Sequence, residues 1–87
     1  FSVGGGDKEQ NVSVNLIRAI DTAREAGARV FGIVGRASGY AATVGDVVVV
    51  IPTPDPGLVT PISEAFQAVV WHCIVSHPDL QTTRTKW

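Results

Sequence analysis

The chain has 87 residues, 45% of them hydrophobic, and its formal net charge is −1 at pH 7 with acids and bases interspersed. That length holds one domain, and the lack of a basic patch argues against nucleic acid or an anionic membrane as a partner. The longest apolar run, residues 47–51, is too short to span a bilayer, and the single Cys73 can form no internal disulfide. These features predict a soluble protein in a reducing, cytoplasmic compartment.

The first half of the chain predicts two strands separated by a helix. Residues 1–3 are typical of a strand end, and glycines 4–6 form a turn before a polar loop at residues 7–10. Apolar residues at helical spacing predict a helix over residues 11–26, with Gly27 as its left-handed cap. The β-branched stretch 29–34 predicts the second strand, followed by a loop over residues 35–39.

The second half predicts a short helix, a third strand and a long helix. Residues 40–44 can form one or two helical turns, and "DVVVVIPT", beginning at Asp46, predicts a strand buried on both faces because it lacks alternation. After the proline-rich connector 52–57, Thr60 and Pro61 predict an N-cap and first helical residue, and the helix ends near Ser76. The polar tail, about residues 79–87, has no predicted element, and Trp87 is either a packing anchor or a frayed end.

This order of elements predicts an α/β protein with a doubly wound parallel sheet of about three strands. Ligands bind such sheets at the carboxyl ends of the strands, which here are the loops 4–7, 35–40 and 52–60. Three strands leave much apolar surface uncovered, so we expect missing strands or partner subunits. The absent initiator methionine also suggests a fragment, the carboxyl half of a larger domain.

The glycine turn is the first candidate binding element. Gly4, Gly5 and Gly6 match neither G-x-G-x-x-G nor a Walker loop, so no nucleotide cofactor is expected. Ser13, in the first turn of the next helix, can donate to a phosphate oxygen beside free backbone N–H groups. The alternative is that Asn11 or Ser13 merely caps the helix, and the local pattern by itself favours the cap.

The last predicted helix carries the second candidate, Glu64 and His72, eight residues apart on one face with Ala68 between them. A carboxylate and an imidazole can act as acid and base or hold a divalent metal. Alternatively, the glutamate complements the helix macrodipole and the histidine bonds to backbone. Weaker signals are Cys73 as a buried thiol, His77 beside free helix carbonyls, and Arg36 and Lys8 as solvated residues or aids to an anion.

The stretch "AIDTAREAGARVFGIVGR", followed by "DVVVVIPT" and a helix with E-x7-H, resembles the carboxyl half of a SIS (sugar isomerase) domain. The resemblance covers residues 1 to about 76 and is greatest to the phosphoheptose isomerases. It implies a flavodoxin-type three-layer α/β/α fold, with a catalytic glutamate and a further glycine-rich loop in an amino-terminal half that this chain does not contain.

The resemblance also implies roles for individual residues. The family's phosphate turn reads like S-T-S-G-N-S, and Ser2 fits its first serine and Ser13 its last, with Gly4, Gly5 and Gly6 between them. Val3 and Gly4 stand where hydroxyls are expected, and "DKEQ" adds residues and negative charge. His72 matches an acid/base histidine, and Glu64 stands at the position of a glutamine. Some members bind zinc at these two positions.

The implied function is the isomerisation of sedoheptulose 7-phosphate to D-glycero-D-manno-heptose 7-phosphate through an enediol, by a homotetramer with shared active sites. Zinc is a candidate metal, and the 87-residue chain alone is expected to be inactive. The alternative is a non-catalytic SIS module that binds a sugar phosphate or a protein partner.

Overall fold

The computed structural model describes residues 1–84 and 86, so the two alternatives for Trp87 lie outside the described residues. The described residues form three α-helices and two β-strands: α1 (Val14–Glu25), β1 (Phe31–Val34), α2 (Tyr40–Val44), β2 (Val47–Val50) and α3 (Val59–Ser76). A single 3-10 turn, Pro56–Leu58, precedes α3. The predicted α2 and the predicted end of α3 are confirmed, as is the left-handed conformation of Gly27, whose φ is 76°.

The two strands pair in parallel, with Phe31 opposite Val47 and Val34 opposite Val50. On the other side of β1, Ser2 forms an isolated parallel bridge with Val34. There the Ser2 amide donates to the Ile33 carbonyl at 3.3 Å, and the Gly35 amide donates to the Val3 carbonyl at 2.8 Å. Three parallel segments therefore lie in chain order, which confirms a mixed α/β protein with a parallel sheet.

Helices α1 and α2 cover one face of this sheet. Ile20 from α1, Val34 from β1 and Ala41 from α2 form the buried core cluster, with Val48 of β2 packed against it. Ile17 of α1 is also buried, at 1% exposure. The apolar positions that predicted α1 as a helix are thus the ones that attach it to the sheet.

Helix α3 contacts β1 but neither α1 nor α2, so it lies on the opposite face. Its fully buried Ser63 packs directly on Gly35, where any side chain would collide with it. One turn later, the Gln67 Nε2 donates to the carbonyls of Ser2 and Ile33, at 2.9 and 3.1 Å. These contacts hold the start of α3 against the ends of two neighbouring parallel segments.

Burial differs from the sequence prediction at β2 and α3. The prediction that β2 is buried on both faces is wrong, because Val47 is 58% exposed and α3 makes no contact with β2. The expected buried thiol is also wrong, since Cys73 is exposed. Val47 and Cys73 both lie on surfaces against which no helix or strand of the described residues packs.

The ends of three elements also differ. Helix α3 begins at Val59 rather than after a Thr60 cap, since the 3-10 turn leads directly into it. Helix α1 begins at Val14 because residues 7–12 form a tight hairpin, and β1 begins at Phe31, two residues later than expected. After α3, the His77 ring accepts a hydrogen bond from the Asp79 amide at 3.2 Å instead of meeting helix carbonyls.

The segment Pro56–Ser76, 21 residues, is long and apolar enough to cross a membrane, and only 6% of its most apolar window is buried. It has no long uninterrupted apolar run because polar residues such as Glu64 and His72 are spaced along it. A helix from a protein core, seen without the elements that pack on it, has the same apolar composition and the same solvent exposure as this segment. Length and hydropathy therefore do not distinguish a membrane from a protein surface as its environment.

We expect the chain to self-associate at micromolar concentration, because Phe66 and Val69, one turn apart on α3, are each 51% exposed. Burying half of two such side chains contributes roughly 1 kcal/mol each, so replacing both with lysine should weaken association by about tenfold or more. Sedimentation velocity measures this directly. A wild-type chain that sediments as a monomer would contradict the expectation, and co-sedimentation with lipid vesicles would instead indicate a membrane.

Candidate phosphate-binding site

A cavity of about 460 Å³ lies at the carboxyl ends of residues 1–3 and β1. Three parts of the chain form its wall: the glycine turn with Ser2 and Val3, the hairpin that leads to Ser13, and the β1–α2 loop. Two of the three loops predicted to bind a ligand therefore meet here. The third, residues 52–60, does not line this cavity.

The glycine turn is shaped by close contact with the β1–α2 loop. The Ser2 Oγ accepts a hydrogen bond from the Gly5 amide at 2.9 Å, and Gly5 and Gly6 have φ of 75° and 87°. Their carbonyls accept from the amides of Ala41, at 2.9 Å, and Tyr40, at 2.8 Å. Because the carbonyls of the turn accept from the first amides of α2, those amides are occupied and cannot hold a ligand.

Of the predicted phosphate contacts, Ser2, Gly4, Gly6 and Ser13 line the cavity, whereas Gly5 is buried behind it. Ser13 has a φ of 52°, and its side chain makes no capping hydrogen bond. Its carbonyl accepts from the amides of Leu16 and Ile17 at 3.0 and 3.3 Å. Ser13 is thus the N-cap residue of α1, as the capping alternative predicted, but it caps through its backbone carbonyl alone. Asn11 lies before the helix in the hairpin, so the Ser13 hydroxyl remains available to a ligand.

The substitution Ser13→Gly distinguishes the contribution of the Ser13 hydroxyl from that of its backbone conformation. Glycine adopts a positive φ without penalty, so the free energy of unfolding should rise by up to about 1 kcal/mol in urea denaturation. The affinity for a sugar phosphate should fall about tenfold or more, because a hydrogen bond to a charged group contributes roughly 1.5–3 kcal/mol. A variant that is both more stable and unchanged in affinity would show that this hydroxyl does not contact the phosphate.

Residues 7–12, between the glycine turn and Ser13, form the hairpin. Asp7 and Val12 exchange two backbone hydrogen bonds of 2.9 Å each. The Asp7 carboxylate accepts from the Gln10 amide at 2.9 Å and from its side-chain Nε2 at 3.1 Å. The Asp7 carboxylate is therefore hydrogen-bonded within the hairpin itself.

The hairpin is attached to both neighbouring helices through Lys8. The Lys8 Nζ lies 3.6 Å from an Asp21 carboxylate oxygen of α1 and 4.4 Å from the centre of the Tyr40 ring of α2. The Tyr40 hydroxyl donates to the same carboxylate, and this hydrogen bond, aided by Lys8, holds the pKa of Asp21 below its usual range. These contacts hold the hairpin against α1 and α2.

Glu64 and His72 lie elsewhere, on the exposed surface of α3. The His72 ring stacks on Trp71, with ring centres 3.7 Å apart, and neither Glu64 nor His72 lines the cavity. Within residues 1–84 and 86, the His, Cys, Asp and Glu side chains form no group of three or more that could hold a metal ion. A zinc ion held by Glu64 and His72 would need further ligands from outside the described residues.

Arg36 and Ser38 also line the cavity. The sequence indicated Arg36 as a solvated residue or an aid to an anion, and it did not single out Ser38. The signal for them was their loop, at the carboxyl end of a predicted strand. The sequence around these two residues does not distinguish them from solvated loop residues. Their position in the cavity wall depends on contact between their loop and the glycine turn.

No protein-family model matches the chain, and no solved structure matches it significantly. The chain is similar to the lincomycin biosynthesis protein LmbN of Streptomyces lincolnensis, with 35% identity over 78 residues. That similarity covers 88% of this chain but 28% of LmbN. The chain thus spans less than a third of the length of this curated relative.

Proposed function

We propose that the chain forms the phosphate-binding half of a phosphosugar isomerase that converts sedoheptulose 7-phosphate to D-glycero-D-manno-heptose 7-phosphate. The fold proposed with it is the carboxyl half of a SIS-like, doubly wound α/β/α domain, acting in the cytoplasm. The observation that carries the proposal is the cavity, which brings the glycine turn and Ser13 together at the carboxyl end of a parallel sheet.

The cavity suits a phosphoryl group in size and chemistry. Its volume of about 460 Å³ falls within the usual range of small-molecule sites. Ser2 and Ser13 line it from two different segments, and Gly4 and Gly6 present backbone without side chains. Such a wall lets phosphate oxygens approach backbone amides closely.

The catalytic groups proposed are Glu64 and His72. In aldose–ketose isomerisation a base moves a proton between adjacent carbons through an enediol, and an acid protonates the oxygen. Both side chains are exposed on α3, outside the cavity. The sugar would therefore react against a second surface, supplied by an amino-terminal half or by a neighbouring subunit of a homotetramer, which would also complete any zinc site.

The second candidate is a non-catalytic module that binds a sugar phosphate or a protein partner. The position of Glu64 and His72 outside the cavity favours it, because binding needs only the cavity wall. The absence of two turn hydroxyls, at Val3 and Gly4, points the same way.

The test is to incubate full-length protein, purified with zinc, with sedoheptulose 7-phosphate and to detect the aldose 7-phosphate by mass-resolved chromatography after derivatisation. Unphosphorylated sedoheptulose is the matched control substrate. Formation of the aldose from the phosphate alone is the expected result. Binding of the phosphate without any product would support the non-catalytic module, and no binding at all would exclude both functions.

A further inference from the structure

We propose that Arg36 binds the phosphoryl group directly and supplies the positive charge of the site, an inference that rests on the phosphosugar function proposed above. Arg36 lines the same cavity as Ser2 and Ser13. Arg36 would thereby supply hydrogen bonds to the phosphate that Val3 and Gly4, which have no hydroxyl, cannot make.

The cavity wall carries one positive and one negative charge. Asp7 and Arg36 are the charged residues of its wall, and the Asp7 oxygens accept hydrogen bonds from Gln10. In the part of the chain that the structure describes, ion pairs join Lys8 to Asp21 and Arg29 to Asp46, and neither includes Arg36. The guanidinium therefore has no carboxylate partner there to compete with a ligand.

The backbone beside Arg36 is firmly held. The preceding Gly35 donates to the Val3 carbonyl at 2.8 Å and packs on the fully buried Ser63. Gln67 also binds the carbonyl of Ile33 in the same strand. A side chain attached at such a fixed point loses less freedom when it binds than one on a mobile loop.

The chemistry of arginine fits this position. Its planar fork of N–H donors can bind two phosphate oxygens at once, which lysine cannot do. Arg36 is exposed in the free chain, so its charge is not removed from water before the ligand arrives. A neutral sugar offers no charge to the guanidinium, and Arg36 would therefore select sugar phosphates over sugars.

The inference is tested by isothermal titration calorimetry of the full-length protein with sedoheptulose 7-phosphate. We expect Arg36→Gln to weaken binding about tenfold or more, the effect of losing one charged hydrogen bond or two, and Arg36→Lys to weaken it less. Arg18→Gln is the matched control, because Arg18 is exposed on α1 and does not line the cavity. It should bind as the wild type does.

Equal affinity of Arg36→Gln and wild type would overturn the inference while leaving the proposed function standing. Equal losses in Arg36→Gln and Arg18→Gln would also overturn it, since they would reflect overall charge rather than contact. A wild-type chain that does not bind the sugar phosphate would overturn the proposed function itself. Circular dichroism of each variant confirms that the chain is folded.

Discussion

His72→Ala is expected to reduce the turnover of sedoheptulose 7-phosphate by at least about 100-fold, and by up to ~10⁴-fold, in full-length protein purified with zinc. The reason is that a positioned general acid or base contributes roughly 10²–10⁴ to the rate. The imidazole is exposed and contacts Trp71 by stacking, so its removal should leave the fold intact. Steady-state kinetics with a circular-dichroism control measures both quantities.

His77→Ala is the matched control for this variant. His77 follows the same helix, is exposed, and its ring accepts a hydrogen bond from the Asp79 amide. Its replacement should leave kcat unchanged, because the proposed mechanism gives it no proton to move. Normal turnover by His72→Ala would remove the catalytic assignment, and equal losses in both variants would indicate a general effect on the end of α3.

Gly39→Ala should destabilise the chain by about 1–3 kcal/mol and abolish the binding of sugar phosphate. A Cβ at Gly39 would collide with the Gly4 carbonyl and lie 3.1 Å from the Cα of Gly5. The obstructing atoms are backbone, so the glycine turn and the β1–α2 loop would have to move apart. Those two segments form opposite parts of the cavity wall, and their separation would destroy it.

Gly4→Ala provides the comparison, because a Cβ there would meet no atom within 4 Å. Both variants add one methyl group near the same turn, yet only Gly39→Ala should lower the midpoint of urea denaturation clearly. Gly4→Ala should stay within about 0.5 kcal/mol of wild type. Equal midpoints for the two variants would show that the close approach of the turn and the loop is unimportant for stability.

The elements that could be predicted are those set by local sequence. Helix α2 occupies the predicted residues, and α3 ends at Ser76 ahead of Pro78. Helix starts were less predictable, because a hairpin displaces the start of α1 and a 3-10 turn leads into α3 at Val59. The burial of β2 was mispredicted because a run of valines indicates only that the strand can be buried on both faces. Whether it is buried depends on which other elements pack against it.

The site was predictable in part for the same reason. Glycines and a serine near a helix start can be recognised locally, and four of the five predicted phosphate-binding residues do line the cavity. The sequence left Arg36 as either a solvated residue or an aid to an anion. The place of Arg36 in the cavity wall and the need for glycine at position 39 arise from the approach of segments about thirty residues apart in the chain, which no local pattern encodes. The proposed roles of Glu64 and His72 depend on a surface beyond this chain and stay predictions.

The most direct test of the phosphate-binding cavity is a titration of the isotopically labelled chain, followed through the backbone amide resonances in NMR spectra. Sedoheptulose 7-phosphate should shift the amides of Gly4, Gly6 and Ser13, while unphosphorylated sedoheptulose at the same concentration should leave them in place. Unmoved resonances with the phosphate, or the same shifts with the unphosphorylated sugar, would contradict the account.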